Sequence, residues 1–233
     1  MSGLDIITES FFHKVKEGWS ENTEEEYEVV DTSSRRRNVV KKTGNNPLII
    51  AEGMKNILPR PFTFWYLKNE KTKTWKENQC PIVTVKTQED FWRIHDYVEL
   101  ASELDQGCDY SVFKHRIFPS WEARENMHGG RWIININSGG TEDKIDSLWE
   151  KLLTLMLKEE TGLINGVVVS KKKNVDKMAI WLKDASKSLE VMKVGMLVKD
   201  KLGVRGTIFF NAHQPNIRYF KTINAFQSRN IKN

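Results

Sequence analysis

Residues 62–87 read FTFWYLKNEKTKTWKENQCPIVTVKT, and the interpretation of this stretch decides the fold. Its first six residues are aromatic, β-branched or aliphatic and predict a strand over 62–68. Its end, with Ile82, Val83 and Val85, predicts another over 80–85. The polar connection between them holds one apolar residue, Trp75. A large ring in a wet loop forgoes about 1.5–3 kcal/mol that burial of a big apolar side chain can supply. Trp121 poses the same question in PSWEARENM, directly before Glu122. Either each ring folds back as a lid on a nearby cluster, or the two clamp a flat ligand. Two such rings, one beside a carboxylate and with basic runs elsewhere, favour the clamp.

Working outward, further strands are predicted over 110–115, 131–137, 164–170, 177–183 and 207–211, with a weak eighth near 217–221. Helices are predicted over 88–101, 141–160 and 184–202, with Thr141 and Asp184 as caps and Gly162 and Gly203 as stop signals. Strands in pairs separated by single helices, with no glycine-rich phosphate loop, imply an α+β fold: a mainly antiparallel sheet of about eight strands with three helices on one face. The other face is then free for a ligand.

In the first helix, Phe91, Ile94, Val98 and Ala101 share one stripe that must face the sheet. Trp92 falls about 140° from the centre of that stripe and points toward solvent or a partner. Trp65, Trp132 and Trp181 sit in apolar or aromatic runs and are expected in the core, as is Trp149 with Ile145, Leu148 and Leu152.

The 233-residue chain carries a net charge of +5, unevenly placed. Residues 1–55 hold an acidic run, EGWSENTEEEYEVVD, then Arg35 to Arg37 and Lys41-Lys42; such blocks bury little apolar surface and are expected to form a charged, flexible tail. The body, 56–233, is basic and suits a polyanionic partner. No apolar run reaches the roughly 18–20 residues that span a bilayer, and MSGLDIITESFFHKVKEG lacks the pattern of a secretory signal. Cys80 and Cys108 have no metal-ligand spacing, so reduced thiols in the cytoplasm or nucleus are expected. No P-loop, HExxH or paired-carboxylate pattern occurs, and no His has a nucleophile at a familiar spacing; catalysis, a metal and a cofactor are not expected.

The segments FTFWYLKNEKTKTWKEN, EDFW, GCDYSVFK, PSWE and GGRWIININ, with GVVVS and DKMAIW, resemble the eukaryotic translation initiation factor 4E family, in family order from about residue 56 to 213. The resemblance implies a curved sheet with the helices on its convex face and a slot for the 7-methylguanosine cap of mRNA on the concave one. By position, Trp75 and Trp121 would sandwich the methylated, positively charged purine. Such a contact combines a cation–π term of about 2 kcal/mol when desolvated with stacking of ~1–3 kcal/mol. Glu122 would accept from the guanine ring N–H and amino group. Arg131, Lys172 and Lys177 would meet the triphosphate, although the family usually has arginine at the Lys172 position. Lys171 and Lys173 are candidates to compensate, and Arg218 and Lys221 are weaker candidates.

The resemblance also implies a scaffold or repressor protein whose YxxxxLΦ helix (Φ apolar) docks opposite the cap, on Trp92, Leu153 and Leu157. Asn56-Ile57, Gln88, Glu150 and Thr154 depart from the family's pattern there, so weak scaffold binding is expected. The implied function is cap binding by a monomer to recruit mRNA for translation. Alternatives are a cap-binding repressor that ignores the usual scaffold, or a module that uses its aromatic platforms for single-stranded RNA or sugar.

Overall fold

In a computed structural model, residues 56–136, 143–214 and 221–223 are described. The expected tail over 1–55, the Thr141 cap, Arg218 and most of the weak strand lie outside them. The strands are β1 (Ile57–Leu67), β2 (Gln79–Thr87), β3 (Asp109–Lys114), β4 (Gly130–Ile136), β5 (Ile164–Ser170), β6 (Asp176–Leu182), β7 (Ile208–Ala212) and β8 (Lys221–Ile223). They form one sheet in the order β2-β1-β3-β5-β6-β4-β7-β8, antiparallel at every pairing. The helices are α1 (Trp75–Asn78), α2 (Gln88–Tyr97), α3 (Asp143–Leu157) and α4 (Ser188–Leu202). The α+β expectation holds, with α1 as an addition to the three predicted helices.

Directly paired residues share a face of the sheet, so the register sorts the side chains. Phe64, Val112, Val167, Ile180, Trp132 and Phe210 form one continuous row across six strands. This is the helix side: Phe64 lies 4.9 Å from the ring of Phe91 on α2, and the Trp132 indole N–H donates to Val191 O of α4 at 2.9 Å. All six are buried, and burying rings and branched chains of this size is the main stabilising term.

Two helix boundaries differ from expectation, for local reasons. The predicted 88–101 helix begins where Thr87 accepts from Asp90 N–H, but ends at Tyr97. Beyond it Glu103 takes the Leu100 N–H, and Ser102 donates through N–H and hydroxyl to Asp146 of α3 at 2.9 and 2.6 Å. Those backbone groups are thus satisfied without a continued helix, in a short 3-10 turn, Ala101–Glu103. The expected stripe of Phe91, Ile94, Val98 and Ala101 is nonetheless buried. Asp184 does not cap α4: it accepts from Ser186 N–H and Oγ–H, closing a local turn, and the helix begins at Ser188. The stop at Gly203 is as expected, with a left-handed φ of 67° that glycine adopts without a Cβ penalty.

Candidate functional site

The stretch carrying Trp75 is not a plain loop. Thr74 accepts from Glu77 N–H while the Glu77 carboxylate takes the Thr74 N–H at 2.7 Å, a reciprocal capping box that nucleates α1. The buried Asn78 ties the turn down by donating to Glu70 O at 2.9 Å. Trp75 therefore stands on a built turn and remains 47% exposed. The T-x-x-E spacing was present in the sequence as the signal for this helix.

Trp121 and Glu122 lie on the segment between β3 and β4, and Trp121 is 56% exposed. This segment is held from beneath by Asn126, which is fully buried. Its amide donates to Phe118 O at 3.0 Å and to Ser120 O at 2.9 Å, and its Oδ1 accepts from Asn165 of β5 at 2.9 Å. Asn165 also donates to Glu125 O, and Ser120 Oγ accepts the Glu122 N–H. Phe118 links the two indole segments: its ring meets Trp75 edge-on at 6.1 Å and Trp65 at 5.3 Å. Neither Asn126 nor Asn165 was singled out from the sequence, because a buried asparagine clamp has no pattern of its own.

The opposite face of the sheet carries the cations. Arg131 pairs in register with Trp181 and Asn211, and Lys177 with Ser170, which pairs with Asp109. Arg131 and Lys177 therefore share the side away from the helices. The Arg131 guanidinium lies 5.4 Å over the Trp181 ring. Burial lowers its pKa, and Asp109 partly opposes this; an arginine remains charged in either case. Gly129, just before this strand, runs so close to the Leu182 carbonyl that a Cβ would collide with it.

Lys172 sits beyond β5, its Nζ 2.8 Å from Asp109 Oδ1 and its N–H donated to Asp176. Burial pushes the Asp109 carboxyl up, while Lys172, Ser170 and Arg131 pull it back. His213 donates Nδ1–H to Asn126 O at 2.7 Å and packs 4.6 Å from Trp181; burial lowers its pKa, which favours the neutral ring.

Trp132 is in the helix-side core as expected, but Trp65 and Trp181 are on the opposite face. Their indole nitrogens and His213 Nε2 are buried without a hydrogen-bond partner. The site thus has two exposed indoles, a neighbouring carboxylate and a floor of aromatics and cations. Such a set can stack a flat ring, accept from its donors and hold anions. Among the described residues, no His/Cys/Asp/Glu group suits a metal ion.

On the helix side, Trp92 is half-buried and edge-on to Phe91 and His95, each at 5.4 Å. Leu157 is half-buried as well. Leu153 corrects the sequence reading: it is 0% exposed and offers no surface to a partner. α3 packs against β5, α4 and the 3-10 turn, so its apolar arc is wider than one stripe.

Residues 57–227 match the family described as eukaryotic initiation factor 4E. Eukaryotic translation initiation factor 4E of Aplysia californica is 39% identical over 166 residues, covering 69% of this chain and 77% of the relative. Among solved structures, Ascaris suum eIF4E-3 in complex with the m2,2,7G cap superposes with a TM-score of 0.69 at 29% identity, over 73% of this chain and 99% of that one. Caenorhabditis elegans eIF4E-3 in complex with the 4E-binding protein Mextli gives 0.69 at 26% identity, over 73% of this chain and 100% of that one.

Proposed function

The chain belongs to the eukaryotic initiation factor 4E family, and on that premise we propose that it binds the 7-methylguanosine cap of mRNA and brings the message to translation initiation through a scaffold protein docked on its helical side. The observation that carries this reading is the pair of exposed indoles, Trp75 and Trp121, on two segments that share Phe118 as their footing, with Glu122 adjoining one of them. A methylated guanine between the rings stacks as any guanine does and adds cation–π energy, which unmethylated guanine lacks. Glu122 reads the donor edge that guanine has and adenine lacks. Arg131, Lys172 and Lys177 take the phosphates. The cap held by the Ascaris relative and the binding protein held by the Caenorhabditis one support the two halves of the proposal.

The protein is a binding protein rather than an enzyme. We assign the partner surface to Trp92 and Leu157, the cap-binding body to residues 56–233, and the first 55 residues to a charged extension. The reading places its work in the cytoplasm, with the nucleus as a second location.

Tryptophan fluorescence quenching tests the proposal. 7-Methyl-GTP quenches at far lower concentration than GTP, and Trp75→Ala or Trp121→Ala each abolishes measurable binding while leaving the melting transition in place. Equal response to GTP and 7-methyl-GTP refutes cap recognition, and wild-type binding by both single variants refutes the sandwich.

A further inference from the structure

The phosphate-side cations are not equivalent. Lys171 Nζ lies 3.3 Å from Asp176 Oδ2, and the same aspartate accepts the Lys172 N–H, so the start of the β5–β6 hairpin is internally paired. Lys173 and Lys177 are exposed, and no carboxylate among the described residues pairs with either. Lys172 lies between these cases: its Nζ is bound to Asp109 Oδ1 at 2.8 Å, with side-chain exposures of 38% and 17%. Asp109 lies on the same sheet face as Lys177, with one strand and its Ser170 between them, and within electrostatic reach of Arg131.

Resting on the cap-binding reading above, we propose that Asp109 is a specificity-determining latch for the phosphate end of the ligand: it holds Lys172 in the free protein and releases it only to a ligand with enough negative charge to compete. The chemistry follows from the residue at position 172. An arginine has two donor edges and can hold a carboxylate on one and a phosphate on the other. A lysine ammonium is a single point charge, and sharing it brings two anions to one nitrogen. Two unit charges about 5 Å apart at an intermediate effective dielectric repel by an amount worth roughly a tenfold change in affinity. Asp109 therefore penalises short phosphate chains, which gain too little from Lys172 to displace it, more than long ones.

The test measures affinity for 7-methyl-GTP, 7-methyl-GMP and GTP by fluorescence quenching at several salt concentrations, with melting curves as a fold control. Asp109→Asn raises 7-methyl-GTP affinity about tenfold, steepens its salt dependence and narrows the preference for triphosphate over monophosphate. In a Lys172→Ala background the same change gains no more than about threefold. Lys172→Arg, which keeps the ion pair and needs no altered fold, raises triphosphate affinity several-fold. A loss of affinity in Asp109→Asn, or an equal gain with and without Lys172, overturns the latch. These ratios are independent of the preference for 7-methyl-GTP over GTP, on which the underlying reading stands or falls.

Discussion

Replacing Asn126 tests whether the indole–carboxylate segment is held by a single buried side chain. Asn126 is fully buried and makes three side-chain hydrogen bonds, to Phe118 O, Ser120 O and Asn165 Nδ2. Alanine removes all three, while Asn165 keeps its bond to Glu125 O, and Phe118 O and Ser120 O keep the backbone N–H groups of Ser120 and Ala123. A buried hydrogen bond contributes about 1 kcal/mol net, so losing three destabilises the fold by roughly 3 kcal/mol. That is a large share of the 5–15 kcal/mol typical of a domain, yet compatible with a folded protein at 25 °C.

Because Phe118 and Ser120 lead directly into Trp121 and Glu122, 7-methyl-GTP affinity falls at least tenfold in the surviving folded fraction. Asn126→Asp is near-isosteric and sharpens the test: it keeps the acceptor for Asn165 but turns an oxygen toward the two carbonyls. Burial and those oxygens raise the new carboxyl's pKa above its unfolded value. The folded state then holds the extra proton, so relative to wild type the variant loses stability as pH rises from about 5 to 7.5. Urea titrations at the two pH values, with cap quenching on the same samples, read all of this. Alanine and aspartate variants with wild-type urea midpoints and cap affinity within twofold would show that the segment is held by something else.

Glu122→Gln places an amide donor against guanine donors and weakens 7-methyl-GTP binding by several kcal/mol in a dry site; a titration showing less than a few-fold loss rejects Glu122 as the base reader. Lys114 donates to Gly162 O at 3.1 Å, and burial lowers its pKa to about 8 against an offset from Glu159. At this site the folded state therefore holds fewer protons than the unfolded one between pH 8 and 10.5, so the Lys114 contribution to stability rises with pH across that window, while Cys108, Tyr66 and Tyr110, whose pKa values burial raises, contribute in the opposite sense. Denaturation midpoints of the wild type therefore gain on those of Lys114→Met as pH rises from 8 to 10.5; a difference that stays flat or shrinks contradicts the assignment. Trp92→Ala abolishes binding of a YxxxxLΦ peptide and leaves cap affinity unchanged; insensitivity of peptide binding to Trp92 moves the partner to another surface.

Most of the fold was legible in the sequence because its signals are local. Alternation in FTFWYL and RWIININ places strands, the Phe91–Ala101 spacing orients a helix, and a Trp in a polar connection signals exposure whatever surrounds it. The family resemblance named the site residues for the same reason: they sit in short motifs at readable spacings. Even α1 was written in its T-x-x-E box.

What only the tertiary structure decided depends on register and on contacts between distant segments. Trp132 and Trp181 both sit in apolar runs and are both buried, yet the β4–β6 register puts them on opposite faces, one against α4 and one under Arg131. Leu153 is enclosed because α3 meets several neighbours at once, which a wheel of one helix cannot show. Asn126 and Asn165 are 39 residues apart, and Asp109 and Lys172 are 63. A polar side chain's role depends on which partner the fold brings within 3 Å, and hydrogen-bond and charge energies decay too steeply with distance for sequence spacing to predict that partner.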